Sequence, residues 1–315
     1  MKTKNKLLTV IILILSMTIL SSCYDPIRSK NRRKYTPEYC FEKEKQPLAQ
    51  AIYKGNTKEI KRIIAENPLE INALSKKSGF RYLYYACLME DLSAVKTLLS
   101  LGADPNKISI NKTGKKPGLK RTNISFAVGR GNLKLTKLLL ENGANPNTPV
   151  DLLPLNVAMS HENMQKYLDL LFSYGADANY KEYGSCKNAA QIACLGLQYN
   201  LIHYFLDKGS DPRSVDRLGN SLAYSIQEEL LNFRGSEAQK KKLQEIKERL
   251  EKEYGIQFPV ENQRRKGMEN DISTYERLPK EIKELPGMED DLEYTVKLKD
   301  SLAAGKTITG QPLKN

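Results

Sequence analysis

The chain has 315 residues, with 50 Lys and Arg against 37 Asp and Glu for a formal net charge of +13, and it contains no Trp, two His and five Cys. This length suits one elongated array or two globular domains, and so few histidines without a CxxC pair or finger-type cysteine spacing argue against a metal site. A basic balance is one footprint of nucleic-acid binding, but Lys2, Lys4 and Lys6 precede an apolar run laid out as an export signal, which argues against that partner.

The apolar run covers residues 7–20, about fourteen residues, and ends in Leu20-Ser21-Ser22-Cys23. That is short of the roughly twenty residues a membrane-spanning helix needs. The charged start, short core and small residues before a cysteine resemble a bacterial lipoprotein signal; an uncleaved amino-terminal helix is the competing reading. The resemblance implies that residues 1–22 are removed and that Cys23 carries diacylglyceryl and acyl (palmitate-type) chains, enough for stable anchoring. Tyr24 after the cysteine, with Asp25 one place later, then implies the periplasmic face of the outer membrane in a two-membrane bacterium. Residues 23–46 read as a basic tether. Its Arg28, Lys30, Arg32, Arg33 and Lys34 either lie against anionic headgroups, at about 1 kcal/mol per charge, or are simply solvated.

From residue 47 a period near 33 emerges. Leu101-Gly102-Ala103-Asp104-Pro105-Asn106 recurs as Asn142-Gly143-Ala144-Asn145-Pro146-Asn147, as Tyr174-Gly175-Ala176-Asp177-Ala178-Asn179 and as Lys208-Gly209-Ser210-Asp211-Pro212-Arg213, with a degraded earlier copy at Glu70-Ile71-Asn72. The last positions of successive copies are 34, 41, 32 and 34 residues apart. Each copy is preceded by a helix with a small residue (Ala51, Ala86, Ala127, Ala158, Ala193) that permits close packing. A second helix follows with aliphatics at helical spacing, such as Val95, Leu98 and Leu99. The glycine after it, as in Gly102 or Gly143, suits the left-handed helix end.

With Thr122-Asn123-Ile124-Ser125-Phe126-Ala127-Val128 and Pro154-Leu155-Asn156-Val157-Ala158 in place of the usual TPLHxAA element, residues 47–255 resemble an ankyrin-repeat protein. The repeats cover residues 47–72, 81–106, 122–147, 153–179 and 188–213, and a sixth opens at Gly219. The expected fold is therefore all-α: an ankyrin-repeat helical solenoid of about six repeats, the first and last degenerate, with an extended C-terminal tail. The sixth unit's second helix is expected over residues 237–254, with Leu243, Ile246 and Leu250 on one face and Gly255 ending it. Residues 256–315 read as a mixed-charge tail, partly disordered, with possible short helices at residues 280–285 and 292–302.

No constellation reads as catalytic, so no enzyme activity, cofactor or metal is expected; His161 and His203 fall on repeat helices without nucleophile or carboxylate partners. Cys87 and Cys194 take small inner-helix positions and are expected in the core. Disulfides between Cys186 and Cys194, or Cys40 and Cys87, are within sequence reach. The ankyrin resemblance implies protein binding through the exposed inner-helix ends and the turn fingers. Here those are Tyr53 and Lys54, Leu88 and Met89, Gly129 and Arg130, Ser160 and His161, and Leu195 and Gly196, with fingers at Phe80, Arg121 and Lys187. Leu88 and Met89 are apolar at expected exposed positions, the mark of an interface unless a finger covers them. The insertion behind the spacing of 41 carries Lys107, Lys112, Lys115, Lys116, Lys120 and Arg121 with no acid. It is expected to be a mobile basic finger that steers an acidic partner, or else a tolerated surface loop. Together these readings imply a lipid-anchored, protein-binding module of the envelope. Its partner would be a secreted antibacterial effector such as a lipase, which an immunity protein occludes; the alternative is a structural scaffold that organises resident envelope proteins.

Overall fold

The computed structural model describes residues 26–113, 118–148, 152–284 and 288–313. The signal segment, Cys23, Tyr24 and Asp25, and Lys115 and Lys116 of the insertion lie outside the described residues. The chain packs as two units, one ending at Asp104 and the other beginning at Pro105.

In the first unit, α1 (Pro26–Lys34) and α2 (Pro37–Cys40) lead into two helix pairs, α3 (Gln46–Lys54) with α4 (Thr57–Glu66) and α5 (Tyr82–Leu88) with α6 (Leu92–Ser100). Local chemistry sets each start. The Asn56 side chain accepts from the Glu59 amide and that of Asp91 from the Ala94 amide, so two otherwise unsatisfied first-turn donors are satisfied. Inner helix stacks on inner helix and outer on outer, α3 on α5 and α4 on α6. The tether expected over residues 23–46 is instead folded in its described part. Pro37 starts α2 and Thr36 caps it. Cys40 and Phe41 are fully buried, with the Phe41 ring stacked 5.1 Å from Tyr82 and edge-on 5.1 Å from Tyr85. Aromatic and apolar anchors in residues 35–41 hold this segment down, next to its run of cations.

The second unit opens with a β-hairpin, β1 (Ser109–Asn111) antiparallel to β2 (Leu119–Arg121), with Ile110 opposite Lys120. Three helix pairs follow: α7 (Asn123–Gly129) with α8 (Leu133–Glu141), α9 (Pro154–Ala158) with α10 (Met164–Ser173), and α11 (Ala189–Leu195) with α12 (Tyr199–Asp207). The last pair is α13 (Leu222–Leu231) with α14 (Glu237–Tyr254). Thr122, Asn188 and Ser221 cap the inner helices α7, α11 and α13, and Ser236 with Gln239 forms a capping box on α14. The long α14 ends as expected, with Leu243, Ile246 and Leu250 buried and Gly255 left-handed at φ 61°. Ala127, Ala158 and Ala193 are fully buried where inner helices meet.

The repeat's terminal asparagine forms a ladder that the sequence pattern marked without explaining. In the first unit the Asn72 amide donates to Gly102 O at 3.4 Å while its carbonyl accepts from Asp104 N at 2.9 Å. In the second, Asn106 bridges to Gly143 and Asn145, Asn147 to Gly175 and Asp177, and Asn179 to Gly209 and Asp211, at 2.6–2.9 Å. Each asparagine therefore pins the next repeat's left-handed glycine turn. Where Arg213 replaces asparagine, its guanidinium donates instead to Tyr254 O, at the end of α14.

After α14, the residues expected to form a partly disordered tail build α15 (Arg264–Glu276), α16 (Lys280–Lys283) and α17 (Glu289–Ala303). Helices α15 and α17 pack together around Met268, Ile272 and Leu298, with Tyr294, Leu302 and Leu313 against them. The segment is ordered because it closes over its own apolar residues and over the fingers of this unit. Neither of the disulfides within sequence reach is formed: Cys40, Cys87, Cys186 and Cys194 are buried free thiols. Cys186 turns toward Thr274 Oγ1 (3.4 Å) and Asp271 in α15, away from α11, which carries Cys194.

Candidate protein-binding surface

In the first unit, the inner-helix ends expected to meet a partner are already covered by the chain itself. Asn31 donates to Leu88 O at 3.1 Å, and Arg32 donates to Tyr53 O at 2.7 Å with its guanidinium 5.3 Å from the Tyr53 ring centroid. The Tyr53 hydroxyl donates back to Arg32 O at 3.2 Å, and that of Tyr85 donates to Tyr35 O at 2.7 Å. Leu88 and Met89, expected as exposed apolar contacts, are buried, Met89 completely. Phe80, expected on a finger, is buried between Tyr35 and Tyr84 with ring centroids 5.8 and 5.2 Å away. All three are core residues because the helices before residue 47 cover them. Lys54 is exposed and Tyr53 half-buried.

The second unit disposes of its fingers in the same way. Lys120, expected on a mobile basic finger, is buried on β2, with its ammonium 3.8 Å from the Asp291 carboxylate and 5.6 Å from the Tyr183 ring centroid. The described part of the insertion is a paired hairpin that directs this cation into the C-terminal segment, which corrects its expected role in steering a partner. Lys112 is exposed, and Arg121 and Arg130 are half-buried. Lys187 is ion-paired with the buried Asp216, whose carboxylate also accepts from Leu218 N at 2.8 Å and Asn220 N at 2.9 Å. It joins two neighbouring fingers and is structural. His161 is half-buried with its ring 5.3 Å from that of Tyr167, and His203 lies 3.4 Å from the Arg249 guanidinium.

The C-terminal segment is what occupies the fingers of this unit. Gln263 N donates to Gly219 O at 2.8 Å, Asn270 Nδ2 to Val215 O at 3.0 Å and Arg264 to Arg217 O at 2.9 Å. At the centre, Arg217 contacts Asp271 at 3.3 Å and the Tyr294 hydroxyl at 2.6 Å, while that hydroxyl donates to Asp271 at 3.0 Å. Burial pushes the Asp271 carboxyl above its ordinary range even though Arg217 and Tyr294 pull it down. Burial also raises the thiols, Cys186 to about 11 and Cys194 to about 12, so they are not nucleophiles at neutral pH. Backbone meets backbone where α15 crosses the finger: a Cβ on Gly267 would overlap Gly219 N and lie 2.8 Å from Asp216 O.

The surface left open is the opposite edge of the unit, where inner helices turn into outer ones. Gly129, Ser160, Leu195, Gly196 and Leu197 are exposed there. Among the described residues no cluster of His, Cys, Asp or Glu could hold a metal ion, and no helix is long and apolar enough to cross a membrane. What the elements build is therefore a set of repeated helix pairs with one edge closed by the chain and one edge presenting side chains.

Helix pairs joined by finger turns, stacked inner on inner and pinned by the asparagine ladder, define an ankyrin-repeat domain. A profile described as Ankyrin repeats (3 copies) matches residues 18–109. Among curated proteins, the chain is 26% identical over 208 residues to the NAD-dependent deacetylase sir2B of Dictyostelium discoideum, covering 55% of this chain and 26% of that protein. It is 36% identical over 98 residues, 30% of its length, both to dynein axonemal heavy chain 12 of Bos taurus and to ankyrin repeat and SOCS box protein 14 of Homo sapiens, covering 24% and 15% of them. The chain thus spans about a quarter or less of these relatives. Among solved structures, the ankyrin repeat domain of Bcl-3 aligns with a TM-score of 0.47 at 20% identity, over 57% of this chain and 78% of that one.

Proposed function

We propose that the chain is a protein-binding module held at a bacterial envelope by lipid on Cys23, acting by covering its partner's surface without turnover. The observation that carries this reading is the split of the second unit into a finger edge covered by residues 256–284 and 288–313 and an open turn edge rich in exposed side chains. The anchoring part rests on the sequence of residues 1–23, with its cationic start, short apolar core and Ser-Ser-Cys end. The occupied partner is a secreted antibacterial effector, such as an envelope-attacking lipase, and the chain serves as its immunity protein. This choice is supported by the export-and-anchor pattern of residues 1–23 together with the open turn edge of the second unit.

The test has two arms. Metabolic labelling with an alkyne-tagged palmitate analogue should mark the chain and lose the mark in Cys23→Ser. Capture of the anchored chain from envelopes of cells competing with their kin should recover one secreted effector. Recovery of resident assembly proteins alone would favour a scaffold, and full resistance of deletion cells to every neighbouring effector would end the immunity reading.

A further inference from the structure

The turn from inner to outer helix passes through the left-handed region, and repeats 1 and 3 place glycine there, Gly55 and Gly131, both at φ 68°. In repeat 2 the residue is Glu90, at φ 52°, and in repeat 5 it is Leu197, at φ 54°, the one aliphatic side chain at this position among the described residues. A branched aliphatic side chain resists this conformation, and glycine would adopt it freely. The same side chain is 54% exposed, so it gains little from burial that could offset the strain. Leu195 just before it is 69% exposed, and Leu231 at the end of the next inner helix is 73% exposed. These are the three most exposed large apolar side chains among the described residues. Helices α11 and α13 pack side by side, so Leu231 ends the inner helix next to the one that Leu195 ends.

Single exposed leucines need no explanation. Three on one edge, one of them in a strained backbone position, have the character of a contact surface. Beside Leu197 an open cavity of about 330 Å³ is lined by Met164, Tyr199, Leu201, Gln239 and Lys242, and no acid lines it. Lys241 and Lys242 are exposed at the start of α14 and Lys240 is half-buried, against the single early acid Glu237.

Granting that this chain binds proteins, we infer that its partner docks on the edge formed by Leu195, Leu197 and Leu231. The partner is acidic: it inserts a large apolar side chain into the cavity and sets a neighbouring carboxylate against Lys242. The strained leucine is retained because the contact needs its side chain.

A random-peptide display library panned against the intact chain provides the probe. Enriched peptides should pair Leu, Ile or Phe with an adjacent Asp or Glu. The strongest, synthesised, should lose about tenfold or more in affinity with Leu197→Gly and with Lys242→Glu, and should be unaffected by Leu292→Ser, a control at another exposed apolar position. Leu197→Gly should also unfold at a higher temperature than the parent, since the strain is gone, so its lost binding cannot be ascribed to misfolding. Peptides that lack acids, or that bind both variants as well as the parent, would overturn this edge as the docking site while leaving the protein-binding reading intact. A lower unfolding temperature for Leu197→Gly, or no enrichment at all, would also overturn it. The broader reading fails separately, if envelope capture recovers no protein.

Discussion

Replacing Gly267 by Ala sets two effects of opposite sign against each other. In a helix interior alanine is favoured over glycine by about 1 kcal/mol, so propensity alone predicts a more stable protein. At this crossing, however, the new methyl overlaps Gly219 N and lies 2.8 Å from Asp216 O and 2.9 Å from Gly219 Cα. All three are backbone atoms, so no rotamer change relieves the clash, and forced overpacking costs roughly 1–3 kcal/mol. If the helix lifts instead, Met268 and Leu298, each 1% exposed, and Ile272, 9% exposed, lose burial against one another and the fingers. Full burial of such a side chain is worth about 1.5–3 kcal/mol, an upper figure because unfolded chains are not fully extended. At the middle of that range the clash therefore wins, by about 1 kcal/mol net. Hydrogen exchange read by mass spectrometry should show lost protection over residues 264–303, with a lower thermal midpoint. Glu269→Ala, an exposed position on the same helix, should stay within about 0.5 kcal/mol of the parent. A Gly267→Ala protein with a raised midpoint and unchanged protection would refute the reasoning.

Lys187→Met should lower stability by about 2 kcal/mol, because Asp216 then stays buried with only backbone and Asn220 partners; this is less than a wholly orphaned charge would cost. Urea denaturation checks it, and unchanged affinity for a display-selected peptide would show that Lys187 acts within the fold. Asn147→Ala removes its bonds to Gly175 O and Asp177 N and should cost about 1 kcal/mol, whereas Asn142→Ala, which loses only the local bond to Leu138 O, should cost less in the same assay. Glu42 provides a pH signature. Burial opposes its ionisation, but its own backbone amide, the Lys77 and Lys76 amides and the Lys45 ammonium together outweigh that and hold its carboxyl below the usual value. A carboxylate depressed in the folded state stabilises fully above its unfolded pKa and stops doing so as pH falls through the folded one. The parent's advantage over Glu42→Gln should therefore be complete at neutral pH and shrink steadily in acid, measured by thermal unfolding across pH.

Much of this architecture was legible in the residues, because each repeat solves its local problems locally. A capping side chain, a small inner residue, an aliphatic stripe and a terminal glycine are all set by neighbours within one unit. The bounds of α14 and its buried face could be read for that reason, and so could the core places of Cys87 and Cys194. Exposure could not be read that way, since it depends on what folds back from far along the chain. Leu88, Met89 and Phe80 look like surface positions in a repeat considered alone, and become core once residues 26–41 lie over them. Lys120 and Lys187 look like free cations until Asp291 and Asp216 reach them across 171 and 29 residues of sequence. The asparagine of each repeat was visible as a pattern, yet its task, bridging to the next repeat's glycine, exists only when repeats stack. Sequence thus determined the unit and its period, which arise from local hydrogen bonding and helical periodicity. Tertiary structure alone decided which edge the chain keeps for itself and which it presents, because that choice is made by contacts between segments too far apart in sequence to leave a joint signature.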